Sequence, residues 1–197
     1  MKLYFSPGAC SLADHIALRE AGLDFETVRV DLRAKTTEAG EDFNRVNPKG
    51  YVPALVFKDG TLLTENVAIL SWIAEQAPHL KPQDTMARTR LIEMLAFIST
   101  EVHKPFGRLM FAQNEEDKAA LKAQITRRLK FLADGLKSDY LLGSEFSTAD
   151  AYLYVTLRWA KRLGVEFPAP LETYYERMEA RPAVKAVLEE EGLAKAA

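Results

Sequence analysis

Cysteine is almost absent from this 197-residue chain. Cys10 is its one thiol, so no intrachain disulfide can form, and the sequence suits a reducing, cytoplasmic setting. Histidine is scarce too: His15, His79 and His103 show no ligand spacing with that cysteine, and no metal is expected. Basic charge is not in excess. With 26 Lys and Arg against 28 Asp and Glu, the formal net charge is −2 and the pI near 6.0, which argues against a nucleic-acid partner. No apolar run approaches the ~20 residues of a membrane-spanning helix. Met1-Lys2-Leu3-Tyr4-Phe5 leads straight into a strand-like run, so no signal peptide is expected. Repeats and low-complexity segments are missing as well.

What is present is an ample apolar complement, 48% of residues, arranged in two different patterns. Up to about residue 80 strands and helices alternate. Lys2–Phe5 reads as a strand and Ser6-Pro7-Gly8-Ala9 as a turn; Cys10-Ser11 then opens a helix that ends near Gly22. Phe25–Leu32 alternates as a second strand. Arg33–Asn47 is polar and irregular, with one helical turn around Glu41–Arg45. Ala54–Phe57 and Thr61–Leu63 form a hairpin across Lys58-Asp59-Gly60, and a helix runs from about Glu65 to Gln76. Ala77-Pro78-His79-Leu80-Lys81-Pro82 is a proline-bracketed linker, after which strand signals stop. Amphipathic helices are predicted at Met86–Lys104, Glu115–Lys137, Ser147–Leu163, Leu171–Ala180 and Pro182–Glu191. The expected fold class is α/β plus all-α, with a first domain at 1–78, a linker at 79–86 and an all-helical domain at 87–197.

Within this frame a few residues are placed for chemistry. Cys10 sits at a strand-to-helix turn, where a helix N-terminus favours the thiolate over a thiol of ordinary pKa, roughly 8.5. Val52-Pro53 puts a proline at the head of a strand. From residues alone a trans bond is the better expectation there, since only about 5–6% of X–Pro bonds are cis. Glu65 and Asn66 start a helix; they suit capping, or the charged end of a ligand. His103 continues the stripe Ile92, Ala96, Ser99 beside the core stripe Leu91, Leu95, Ile98, Val102. It could face a cleft or simply complement a helix dipole. Ser147-Thr148-Ala149-Asp150 is a capping box for a buried helix. Phe106, Leu109, Met110 and Trp159 suit either a hydrophobic pocket or the core.

Five of these motifs occur together: Ser6-Pro7-Gly8-Ala9-Cys10-Ser11, Asn47-Pro48-Lys49-Gly50-Tyr51-Val52-Pro53, Leu63-Thr64-Glu65-Asn66, His103-Lys104 and Phe146-Ser147-Thr148-Ala149-Asp150. In this order, with the domain switch between the third and fourth, the chain resembles the cytosolic glutathione S-transferases over its whole length, most closely the bacterial beta class. The resemblance implies an N-terminal thioredoxin-like domain carrying the glutathione site and a helical domain supplying most of the second-substrate pocket. It implies a cis bond at Val52-Pro53, turning the Val52 backbone toward the cysteinyl part of an extended glutathione. Lys35 is then expected on the glycyl carboxylate, Glu65 on the α-amino group, and Asn66 with local N–H groups on the γ-glutamyl carboxylate. Cys10, Ser11 and His103 are expected around the sulfur, with Lys104 beside them.

The implied activity is conjugation of the glutathione thiolate to small hydrophobic electrophiles, with Phe106, Leu109, Met110 and Trp159 lining their pocket. Glutathione is the co-substrate and no further cofactor is implied; a homodimer is. Two alternatives stay open: a glutathione-dependent thiol–disulfide reductase using Cys10, and a non-catalytic ligand- or partner-binding protein on the same fold. Departures from the family pattern are Phe5, where beta-class relatives often carry a tyrosine, Ala96, where some carry an asparagine, and Asn66, where many carry Ser or Gly. With Phe5 lacking a hydroxyl and Tyr4 on the opposite strand face, a tyrosine-activated thiol is not expected.

Overall fold

The computed structural model describes residues 1–194. The chain divides into two compact units: Met1–Lys81 together with the stretch from Pro182, and Pro82–Arg181. Each is described by itself.

The first unit is built on a five-stranded sheet. Its strands are β1 (Lys2–Phe5), β2 (Glu26–Asp31), β3 (Thr36–Thr37), β4 (Ala54–Val56) and β5 (Leu62–Thr64), in the order β3-β2-β1-β4-β5. β1 pairs in parallel with β2 and antiparallel with β4, so it lies at the centre of the sheet, and its Leu3, Tyr4 and Phe5 are all buried. Alternation sends Tyr4 and Phe5 to opposite faces. Tyr4 joins Val30, Phe43, Val52 and Ala54, its ring 5.7 Å from that of Phe43, whereas Phe5 lies 5.7 Å from His15 on α1 (Ser11–Glu20). The hairpin turn forms as its sequence requires: Gly60 takes φ 85°, and Asp59 Oδ1 accepts from the Thr61 N–H at 2.9 Å. β3, only two residues long, falls in the stretch expected to be irregular. Phe43–Arg45 makes a single 3₁₀ turn within the expected helical turn. α2 (Asn66–Gln76) follows β5.

The second unit is helical, with α3 (Thr85–Phe97), α4 (Lys104–Phe111), α5 (Glu115–Gly135), α6 (Thr148–Leu163) and α7 (Ala169–Ala180). The helix predicted to end at Lys104 instead runs on through α4, with a π-helical segment at Ile98–His103 between α3 and α4. Pro105 accounts for the π-helical segment. It has no N–H to give to the preceding turn, and its ring crowds the carbonyl four residues back; a wider turn just before it relieves both. Leu91, Leu95, Ile98 and Val102 form the buried stripe, as expected.

The last helix is a correction. α8 (Pro182–Glu190), expected in the helical domain, belongs to the first unit and packs on α1. Periodicity could show that it is a helix but not which core it joins. The fully buried His15 presents Nδ1 to Glu191 Oε1 at 3.0 Å and Nε2 to Glu190 Oε2 at 2.9 Å, while Arg19 reaches Glu190 at 2.6 Å. Glu191 Oε2 also accepts the Gly8 N–H at 2.9 Å, which ties this end of the chain to the loop before Cys10.

The capping box at Ser147 forms, and more depends on it than on an ordinary cap. The buried Asp150 carboxylate accepts from the N–H groups of Ser147 (2.8 Å) and Leu141 (2.9 Å) and from the hydroxyls of Ser147 (2.6 Å) and Tyr174 (2.9 Å). Asp150→Ala leaves several buried donors without an acceptor and should cost more than about 3 kcal/mol. Ser147→Ala loses one hydroxyl and should cost about 0.5–2 kcal/mol. Urea unfolding of the two variants measures the difference; equal losses would reduce Asp150 to a simple cap.

Candidate active site

Cys10 is the N-cap of α1, in helical conformation (φ −61°, ψ −25°). Its thiol donates to the Val52 carbonyl at 3.4 Å. The Val52–Pro53 bond is cis, as the resemblance implies. The expected thiolate is not what this environment favours. Burial pushes the Cys10 thiol up from 9.0 to about 12, and the Asp14 carboxylate adds to the rise. The main-chain N–H groups of Cys10 and Ser11 pull the other way without compensating. Cys10 is therefore a protonated thiol in the ligand-free protein.

Ser11, expected as a second donor around the sulfur, is fully buried, and its Oγ accepts from Ser6 N–H (3.2 Å) and lies 3.4 Å from Ser6 O. That hydroxyl holds the Ser6–Cys10 turn. What Ser11 gives to the Cys10 sulfur is its backbone N–H.

Asn66 is a second correction. Its side-chain amide was expected to meet a ligand carboxylate; instead Nδ2 donates to Cys10 O (3.0 Å) and to Asp14 Oδ2 (2.8 Å), and the residue is buried. The larger side chain finds these acceptors beneath the Cys10 turn. Asp14 itself went unnoticed in the sequence, because a carboxylate in the first turn of a helix reads as a dipole partner. It is fully buried, its Oδ1 has no hydrogen-bond partner, and burial holds its carboxyl well above the usual range.

Glu65 precedes α2 with φ +74°, a left-handed conformation costly for a residue with a Cβ. Its carboxylate is half exposed and receives Lys49 Nζ at 2.5 Å and the Tyr51 hydroxyl at 2.7 Å. In α2 the Ile69 N–H bonds to Glu65 O, so the N–H groups of the first helical residues precede the intrahelical ladder. Lys35, also at positive φ (59°), directs Nζ to Gly50 O at 2.6 Å. Lys35, Glu65, Val52 and Cys10 thus all belong to the first unit.

The remaining expected residues lie in the helical unit. His103 Nδ1 is 2.6 Å from the buried Tyr152 hydroxyl, and its ring is 4.9 Å from that of Trp159. Burial draws its pKa down to about 4, so near neutral pH it is an uncharged imidazole and the cationic role once open to it is closed. Lys104 is exposed and makes no ion pair among the described residues. Of the four apolar residues assigned to a pocket, Phe106 is wholly buried, and Leu109 and Trp159 are nearly so. Packing of Phe106 against Trp159, ring centroids 5.9 Å apart, explains why they read equally well as core. Met110 keeps 36% of its surface.

Comparison with known proteins decides the family. The glutathione S-transferase N-terminal domain matches residues 9–76 and the glutathione S-transferase C-terminal domain residues 92–190. Glutathione S-transferase GstA of Escherichia coli O157:H7 is 45% identical, over 98% of this chain and 100% of that one. The chain belongs to the glutathione S-transferase family. The thioredoxin-like and helical domains take their family names from these two matches, and relatives matched over their full length are named glutathione S-transferases. A sphingomonad glutathione S-transferase solved in complex with glutathione is 48% identical with a TM-score of 0.91, covering 98% of this chain and 100% of its own. A beta-class enzyme from Sphingomonas chungbukensis is 46% identical with a TM-score of 0.93, over the same shares of the two chains.

Two measurements test these electrostatics. Alkylation of Cys10 by iodoacetamide in the ligand-free transferase should rise about tenfold per pH unit through pH 9 without levelling, because the thiolate is the reacting form. A plateau near pH 7 would contradict the protonated thiol. For Asp14, a raised folded-state pKa means that the folded protein keeps this proton to higher pH than the unfolded chain. Its contribution to stability is full below the unfolded pKa of about 3.9 and is lost as pH rises through the folded value. Asp14→Asn is neutral throughout and can still accept from Asn66. Its gain in urea midpoint over wild type should be larger at pH 8 than at pH 4.5.

Proposed function

We propose that this transferase conjugates glutathione to small hydrophobic electrophiles as a homodimer, with Cys10 acting as a hydrogen-bond donor to the glutathione sulfur and not as a redox centre. The observation that carries the reading is the Cys10 sulfur resting 3.4 Å from the Val52 carbonyl, where burial pushes its thiol pKa up. An extended tripeptide paired along Val52 brings its own sulfur beside this thiol. The glutathione S–H gives its proton to solvent, and the Cys10 S–H turns from Val52 to the resulting thiolate, which lowers the cost of forming it. The thiolate then attacks the electrophilic carbon: the C–S bond forms, and the leaving group departs with its electron pair. A redox cycle would instead require Cys10 to attack a disulfide as thiolate, the form that burial disfavours.

Binding follows from groups already aligned. Glu65 meets the ligand's ammonium, and the N–H groups opening α2 meet its γ-glutamyl carboxylate in place of the Asn66 side chain. Lys35, now on Gly50 O, takes the glycyl carboxylate. In the helical domain His103 serves as a neutral hydrogen-bonding group, and Met110 is assigned to the second substrate on the strength of its exposed surface.

Steady-state conjugation of glutathione to an aryl halide, run beside a glutathione-dependent disulfide-reduction assay, tests the reading on wild type and Cys10→Ala. Conjugation should survive Cys10→Ala with kcat/KM lowered by about tenfold or less, the worth of one weak donor. Loss of disulfide reduction with conjugation intact would make Cys10 a redox residue. Wild type that binds glutathione yet conjugates none of a panel of electrophiles would leave a binding protein.

A further inference from the structure

The Glu65 carboxylate is held on one side only. Oε1 receives both the Lys49 ammonium (2.5 Å) and the Tyr51 hydroxyl (2.7 Å), whereas Oε2 receives no hydrogen bond among the described residues. Lys49 Nζ also reaches Thr64 Oγ1 at 2.9 Å, so it bridges the residue before Glu65 as well. The segment carrying both donors is itself fixed. The buried Asn47 accepts the Lys49 N–H (3.1 Å) and donates to Tyr51 O (2.7 Å), which clamps the loop on both sides of Gly50. Lys49 and Tyr51 therefore reach across to Glu65 from an anchored loop.

We propose that Tyr51 is a positioning residue of the glutathione site: with Lys49 it holds Glu65 by Oε1 and leaves Oε2 aimed at the ligand's α-ammonium. This rests on the glutathione reading above. Glu65 already sits on a left-handed backbone, so its Cα is placed by the main chain. A carboxylate on three rotatable bonds would still sample several directions in half-exposed surroundings. A hydrogen bond from a phenol narrows that choice without adding a charge that opposes the incoming ammonium. Lys49 does add such a charge, which makes Tyr51 the donor whose effect on ammonium recognition has one sign. The bonds from Lys49 and Tyr51 keep Glu65 ionised, below the usual carboxylate range, as its partner requires.

The test separates this role from general binding by changing the ligand. Tryptophan-fluorescence titration would compare glutathione with its desamino analogue, γ-glutaryl-cysteinyl-glycine, on wild type, Tyr51→Phe and Glu65→Gln. Wild type should bind the analogue about tenfold or more weakly, the loss expected for a charge-assisted hydrogen bond. Tyr51→Phe should shrink that ratio about threefold or more, with analogue affinity nearly unchanged, and the loss in turnover should fall on KM for glutathione more than on kcat. Glu65→Gln sets the ratio left when the carboxylate is gone. An unchanged ratio in Tyr51→Phe overturns the proposal, as does a wild type that binds the two ligands equally. A wild type that binds neither overturns the glutathione reading itself.

Discussion

The side-chain amide of Asn66 joins two helix starts that would otherwise repel. The N-termini of α1 and α2 each carry unpaired N–H groups and a positive end of a helix dipole. Between them stand two acceptors from α1, the Cys10 carbonyl and the Asp14 carboxylate, and the Asn66 amide donates to both. The head of α2 is thereby tied to the Cys10 turn and to the first turn of α1. A smaller residue at position 66 would take away the side-chain hydrogen bond that Asp14 Oδ2 accepts. The two residues make sense only together.

The same junction decides the chemistry of Cys10 by a comparison of magnitudes. A helix N-terminus is worth about 0.3–1 kcal/mol to an adjacent anion, less than one pKa unit at 1.36 kcal/mol per unit. Removing a thiolate from water shifts its pKa by up to about 3–5 units in the opposite sense. The rise from 9.0 to about 12 shows the second effect prevailing, with Asp14 reinforcing it. A position that looks activating in sequence thus keeps its proton. That suits a group whose task is to donate a hydrogen bond.

What could be read in sequence follows the range of the interaction. Strand alternation, the Asp59-Gly60 turn, the Ser147–Asp150 cap and the buried stripe from Leu91 to Val102 are local, and they form much as the pattern indicates. Residue identity also placed Cys10 at the head of α1 and Glu65 at that of α2. Side-chain direction was not legible. Whether Ser11 faces a ligand or Ser6, and whether Asn66 faces outward or toward Asp14, depends on contacts between elements far apart in the chain. The pairing of His103 with Tyr152 joins two helices 49 residues apart in sequence, which the period of a single helix could not foresee.

α8 shows the extreme of that range. The bonds to His15 from Glu190 in α8 and from Glu191 just after it span 175 and 176 residues, and Glu191 reaches back 183 residues to Gly8. The first unit is consequently made from both ends of the chain, with the helical unit inserted between them. His15 is buried against α8 with its polar ring atoms satisfied by α8 and the residue after it; without that helix it would be a buried imidazole with no partner. The loop that presents Cys10 is therefore completed by Glu191, a residue 183 positions away in the chain.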